Sequence, residues 1–156
     1  MIRIGFGFDT HKLEPGKPFI LGGVKIEHSK GPAGHSDADV LIHAIIDSLL
    51  GAAGLPDIGQ QFPDTSDDYK GIDSRILLKR TLQMIREKGF SIGNIDCTVV
   101  LQQPKIAAYI PSIISSISGT LETGTGQVSV KAKTSEKLGF IGREEGVSAY
   151  AVALLI

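Results

Sequence analysis

A chain of 156 residues, 42% hydrophobic and 21% charged, is the size of one domain that can bury a real core. Its 16 Lys and Arg against 17 Asp and Glu leave no global positive field, which argues against sequence-independent nucleic-acid binding. The single cysteine, Cys97, permits no internal disulfide, and no stretch is apolar enough to span a membrane, since even Val40 to Leu50 contains His43 and Asp47. A reducing, cytoplasmic location is expected.

Residues Ile2 to Lys12 alternate as a first strand and lack the features of a signal peptide, so the mature protein is expected to start here. Gly16-Lys17-Pro18 turns the chain into a second strand, Phe19 to Ile26, expected to be its antiparallel partner. After a polar segment, His28 to Ser36, the recurrence of Val40, Leu41, Ala44, Ile45, Ser48 and Leu49 predicts a helix capped by Ser36 or Asp37. Gly51 to Pro56 ends it.

The segment from Pro56 to Ile72 is rich in Gly, Pro and Asp without a period, and loops of that length in small domains are usually functional or disordered. A helix from about Asp73 to Lys88, stopped by Gly89, and a strand from Ile92 to Leu101 follow. Pro104 is expected to begin a short helix, Ile110 to Leu121 another, and Gln127 to Lys133 a strand. Val147 to Ile156 is almost continuously apolar, which predicts a strand covered on both faces, one cover being another copy of the chain. Thr123 to Gly126 reads as a turn, and Gly5-x-Gly7 lacks the third glycine of a dinucleotide fingerprint.

Asp9 and His11 lie two apart on the first strand, so both side chains point to one face and can reach one ion; His43, on the helix, can supply a third ligand. One carboxylate and two imidazoles suit zinc and leave the fourth tetrahedral position open. Asp39 and Asp47 flank His43 by one helical turn, and either can orient its ring. His35-Ser36-Asp37 before the helix has the donors of an anion cradle, or of an ordinary cap. Lys131 to Lys137 gathers Thr134, Ser135 and three lysines around Glu136, which fits either a polar strand exit or phosphates bridged by a magnesium ion. Together with the acidic loop, these clusters describe a site for a diphosphate held by two metal ions.

Gly7-Phe8-Asp9-Thr10-His11, Gly34-His35-Ser36-Asp37-Ala38-Asp39-Val40-Leu41-x-His43-Ala44, Asp57-Ile58-Gly59 with Phe62-Pro63-Asp64-Thr65, and Lys137-Leu138-Gly139-Phe140-x-Gly142-Arg143 resemble the 2-C-methyl-D-erythritol 2,4-cyclodiphosphate synthases of the non-mevalonate isoprenoid pathway. The resemblance runs nearly end to end. It implies conversion of 4-diphosphocytidyl-2-C-methyl-D-erythritol 2-phosphate to the cyclic diphosphate with release of CMP. It further implies zinc on Asp9, His11 and His43, a Mg²⁺ or Mn²⁺ on Glu136, and transition-state contacts from His35 and Thr134.

By the same resemblance, Asp57, Ile58, Gly59 and the segment Phe62, Pro63, Asp64, Thr65 and Ser66 hold the methylerythritol part, and Ser36 is a further substrate-binding position. Leu101, Pro104, Lys105, Ile106, Ala107 and Lys133 surround the cytidine, and Ser135, Phe140 and Arg143 complete the matched positions. The implied fold is α+β and chorismate mutase-like, a mixed four-stranded sheet with helices on one face. The sheets pack around the axis of a homotrimer with active sites between subunits. Ser66 stands where many relatives carry a second Asp, and Lys133 where Thr is common. From the residues alone, a zinc hydrolase of small phosphorylated substrates and a noncatalytic, metal-containing oligomer remain open.

Overall fold

Strand β1, Arg3–Pro15, is the spine of the molecule, and in this computed structural model, which describes all 156 residues, two strands pair along its length. From Arg3 to Lys12 it runs antiparallel to the carboxy-terminal β7 (Gly146–Leu155), and its far end, Leu13 to Pro15, pairs with β4 (Lys30–Pro32). On the other side of β7 lie β5 (Ile92–Val100), antiparallel to it, and β6 (Val128–Lys133), parallel to β5. The order is β4-β1-β7-β5-β6, so the mixed sheet has five strands rather than the expected four. The extra strand comes from the segment read as merely polar.

A second correction concerns Phe19 to Ile26. It is not a partner of β1 but a separate hairpin of β2 (Phe19–Leu21) and β3 (Val24–Ile26), bent at Gly22 and Gly23 with φ of +60° and +78°. Two successive left-handed residues make a tight hairpin turn, for which a Gly-Gly pair carries no steric cost.

Helix α1, Val40–Ala53, lies across β1, β7 and β5 and is buried all round except for His43, Asp47 and Gly51. These three recur every fourth residue, so the helix opens along one narrow stripe. Each fully buried Leu or Ile on the remaining surface contributes roughly 1.5–3 kcal/mol. The contact with β1 is unusually close: a Cβ at Gly5 would sit 1.9 Å from the Ser48 carbonyl oxygen, and one at Gly7 1.9 Å from that of Ala44. The Gly5-x-Gly7 pair is therefore a seat for the helix backbone. Gly5, Gly7, Asp9 and His11 share that face of β1, so the same approach brings His43 against the two ligand candidates.

Asp39, not Ser36 or Asp37, caps α1, and its carboxylate also accepts the Gly22 and Gly23 amides, tying the hairpin to the helix start. The long loop contains α2 (Ile58–Gln61) and a 3₁₀ turn at Asp67–Tyr69, and α3 (Ser74–Glu87) follows, packed on α1. Pro104 follows a cis peptide bond and starts no helix; a 3₁₀ turn at Ala107–Tyr109 leads into α4 (Ile110–Leu121), which packs on β6 and α3. The turn at Thr125–Gln127 precedes β6, and a single turn, α5 (Gly139–Gly142), precedes β7.

All the longer helices cover one face of the sheet. On the other, Ile4, Phe6 and Phe8 of β1 and Tyr150 and Val152 of β7 are 39–70% exposed, so the last strand is covered on one face only within the chain. Phe8 and Tyr150 stack at 5.1 Å between ring centroids on this bare face.

Candidate metal centre and flanking pockets

Asp9 and His11 project from β1 toward the unburied stripe of α1, where His43 meets them. Asp9 Oδ2 lies 3.0 Å from His11 Nε2 and 3.1 Å from His43 Nδ1, and the two ring nitrogens are 3.3 Å apart. Ligand atoms at the corners of a tetrahedron around zinc, at bond lengths near 2.0–2.1 Å, are separated by about 3.3 Å. The triad therefore fits such an ion without rearrangement, and it is the only cluster of His, Cys, Asp or Glu with this spacing.

The far side of His11 is fixed too. Its Nδ1 faces the Ala33 carbonyl at 3.0 Å, and a carbonyl only accepts, so Nδ1 carries a hydrogen and in the neutral ring the Nε2 lone pair points at the triad. Gly34 makes room, because a Cβ there would come within 3.0 Å of the His11 ring.

Burial opposes ionisation of Asp9, but hydrogen bonds and charge from His11 and His43 outweigh it and hold the carboxyl at about 2. Burial likewise works against a charged His11, yet the Asp9 carboxylate raises it above its ordinary value. In the metal-free protein Asp9 thus contributes stability above pH 3.8 that is lost toward pH 2, and His11 contributes below pH 6.5 what is lost at higher pH. An incoming metal must displace the His11 proton. Zinc affinity, measured by competition with a chelating dye, is expected to rise about tenfold per pH unit while that proton is bound.

In front of the triad lies a cavity of about 250 Å³ lined by His11, His35, Ser36, His43, Ile58, Gly59, Phe62, Asp64, Tyr69 and Leu77. His35 donates from Nε2 to the Ser66 carbonyl at 3.0 Å, which pins the outer loop to the cavity wall. Asp57 caps α2 by accepting from Gln60, which holds its carboxyl below the usual range. Pro63 and Thr65 are exposed and do not line the cavity. Phe62 and Tyr69 meet edge to face at 5.7 Å, and the Arg80 guanidinium sits over Tyr69.

A second pocket, of about 190 Å³, is lined by Leu101, Gln102, Pro104, Lys105, Ile106, Ala107, Ala132 and Thr134, and shares no residue with the first. Glu136 and Lys137 beyond it are exposed, both with left-handed backbone, and the Lys137 amide donates to Gln102. Ser135 turns back to the Leu138 carbonyl at 2.7 Å. Phe140 belongs to a third hollow with Thr10, His11, Lys12, Glu145 and Gly146, and Arg143 pairs with Glu145 at 2.8 Å.

The profile of the YgbB family matches residues 2–156. The chain is 57% identical over 154 residues to the 2-C-methyl-D-erythritol 2,4-cyclodiphosphate synthase of Porphyromonas gingivalis, covering 99% of this chain and 95% of that protein, and 54% identical to that of Cytophaga hutchinsonii, covering 99% and 98%. The chain belongs to the YgbB family. Among solved structures, IspF of Plasmodium falciparum in complex with CDP superposes with a TM-score of 0.88 at 42% identity, covering 99% of this chain and 96% of that one. The bifunctional IspDF of Campylobacter jejuni gives 0.96 at 43% identity; this chain spans 42% of that longer protein.

Three side chains sit elsewhere than their spacing in the sequence suggests. Neither Asp39 nor Asp47 touches His43. Asp39 is fully buried, accepting three backbone amides at 2.7–3.1 Å, and burial pushes its carboxyl up to about 6 against the pull of those donors. Asp47 accepts the Ile58 amide at 2.8 Å and so anchors α2, the floor of the cavity. Lys131 is turned away from Glu136 to Asp96 on β5. The hydroxyl of Ser66 caps the following 3₁₀ turn through the Asp68 amide, while Lys133 is exposed at the end of β6. The residues that do contact His43 Nε2 are Ser36 and Ser74, at 3.1 and 3.0 Å. No local motif marks Ser74, Tyr69 and Leu77; only the docking of α3 and of the 3₁₀ turn before it brings them beside His43 and the cavity.

Proposed function

We propose that this YgbB member converts 4-diphosphocytidyl-2-C-methyl-D-erythritol 2-phosphate to 2-C-methyl-D-erythritol 2,4-cyclodiphosphate and CMP, as its relatives' names and the observed triad jointly support. An oxygen of the substrate's 2-phosphate attacks the β-phosphorus, and the bond from that phosphorus to the oxygen bridging to the α-phosphate breaks. CMP leaves with the electron pair. A zinc ion held by Asp9, His11 and His43, with Mg²⁺ or Mn²⁺ on Glu136, would neutralise charge on the phosphoryl oxygens.

The chain's own part is alignment, which by itself can lower a barrier by several kcal/mol. Ser36 and His35 flank the metal end of the cavity, and Ile58, Gly59 and Phe62 form a wall for the methylerythritol carbons. The pocket at Leu101, Pro104 to Ala107 and Thr134 has the apolar lining and edge polarity for cytosine. Thr134 and Lys133 at its mouth face the α-phosphate in this reading. Residues 1–156 act as one domain of chorismate mutase-like architecture, and a cytoplasmic setting agrees with the lack of any helix long and apolar enough to cross a membrane.

One observation carries the assembly. Asp9 pairs in register with Ala149, Ala149 with Val99, and Val99 with Ala132, so the metal strand and the nucleotide strand are three strands apart. That is roughly 14 Å across the sheet. The α- and β-phosphates share one bridging oxygen, and this separation favours a site in which the metal and nucleotide halves come from different chains. A homotrimer resolves this when the bare aromatic face of β1 and β7 packs at its axis and each metal centre faces a neighbour's nucleotide pocket.

The reaction class is tested by turnover in ¹⁸O-water. Ring closure takes no oxygen from solvent, so the cyclic diphosphate and CMP are expected to be unlabelled by mass spectrometry. Solvent oxygen in either product would point to a hydrolase instead.

A further inference from the structure

We infer that Ser74, backed by Asp37, is the positioning residue that sets the tautomer of His43 and so aims its lone pair at the metal centre; the inference rests on the metal reading above. Ser74 is fully buried at the first position of α3. Its Oγ lies 3.0 Å from His43 Nε2 and is hydrogen-bonded to Asp37 Oδ1, while its own amide donates to Asp37 Oδ2 at 2.9 Å. Asp37 Oδ1 also accepts the Asp39 amide at 3.2 Å. Asp37 is thus an acceptor at both oxygens.

The direction of the chain follows from counting protons. A serine hydroxyl has one hydrogen, and here it goes to Asp37, so Ser74 Oγ can only accept from His43. Nε2 must then carry the imidazole hydrogen. Nδ1 is left with its lone pair, 3.1 Å from Asp9 Oδ2, which is the state a metal ligand needs. Ser36 Oγ is 3.1 Å from the same nitrogen, but its hydrogen is not committed elsewhere, so it is compatible with either tautomer.

Asparagine at position 37 separates this role from simple packing. Its amide can satisfy only one of the two backbone donors. The orientation that keeps the shorter bond, to the Ser74 amide at 2.9 Å rather than the Asp39 amide at 3.2 Å, turns the NH₂ toward Ser74 Oγ. Ser74 then donates to His43 Nε2, and the ring hydrogen moves to Nδ1, facing Asp9 and His11. An isosteric change thereby reverses the relay.

The test uses the full chain. In ¹⁵N-labelled, metal-free wild type, the ring nitrogens of His43 are expected to show the Nε2–H tautomer, and in Asp37→Asn a shift toward Nδ1–H. Zinc affinity from chelator competition is expected to fall about 10- to 100-fold in Ser74→Ala and at least as far in Asp37→Asn. Thermal melting of the metal-free proteins serves as the folding control, and Asp37→Asn alone decides the matter where Ser74→Ala does not fold. A wild-type His43 protonated at Nδ1, or wild-type affinity in a folded Asp37→Asn protein, would overturn the inference. A wild type that binds no zinc would instead defeat the metal reading, leaving the tautomer measurement to decide the relay.

Discussion

Mixing two inactive variants is expected to restore activity. His43→Ala removes a candidate metal ligand but leaves the Thr134 pocket and the neighbouring Glu136 untouched; Glu136→Gln does the converse, because β1, which carries Asp9 and His11, and β6, which leads to Glu136, are three strands apart and the two pockets share no lining residue. Each variant alone should turn over at least a hundredfold more slowly than the wild type, on the order of what loss of a directly ligating or charge-neutralising group costs. Glu136→Gln should retain zinc at full stoichiometry, whereas His43→Ala should not.

When the two are unfolded together and refolded at equal concentration, subunits of the proposed trimer would assort at random. A site formed between neighbours is intact when the metal side comes from the Glu136→Gln chain and the nucleotide side from the His43→Ala chain. That holds for about one quarter of sites, so about one quarter of wild-type CMP release should return. Activity that stays at the level of the single variants would place both halves of the site in one chain. It would contradict the shared site.

Gly7→Ala is expected to be among the most damaging single methyl additions in the chain. The added Cβ would lie 1.9 Å from the Ala44 carbonyl oxygen and 2.7 Å from the Ser48 amide nitrogen, both helix backbone that cannot rotate aside. Helix α1 must lift from β1, and overpacking of this kind costs roughly 1–3 kcal/mol or more. Because His43 rides on that helix while Asp9 and His11 stay on the strand, the triad should open as well. Zinc binding is then expected to weaken more than tenfold, together with a lower melting temperature of the metal-free protein. Gly51→Ala on the exposed stripe of the same helix, where an added Cβ meets nothing within 4 Å, is the control and should stabilise slightly. A Gly7→Ala protein with unchanged melting temperature and zinc affinity would refute the seat.

The parts of the site legible in the sequence were those that local periodicity controls. Asp9 and His11 share a face because a strand repeats every second residue, and α1 and α3 announce themselves by apolar spacing and by Gly54 and Gly89 at or beyond their ends, both with left-handed backbone. Local rules also misled. Asp39 and Asp47 sit one turn either side of His43, yet burial of Asp39 under the hairpin and the capture of Asp47 by Ile58 decide what they touch. Gly22 and Gly23 lie within the span that alternation marks as strand, although their pairing marks a turn.

By itself, then, the sequence determined the α+β class, the family and the three residues that meet in the candidate metal triad, because these depend on residue type and short-range repeat. Only the tertiary structure decided that Gly5 and Gly7 seat a helix, that Ser74 rather than a flanking aspartate contacts His43, and that the strand carrying Asp9 and His11 lies three strands from the one leading to Thr134. Those facts depend on distances between segments tens of residues apart, set by how the helices dock on the sheet and by the order of strands within it, neither of which any local pattern encodes.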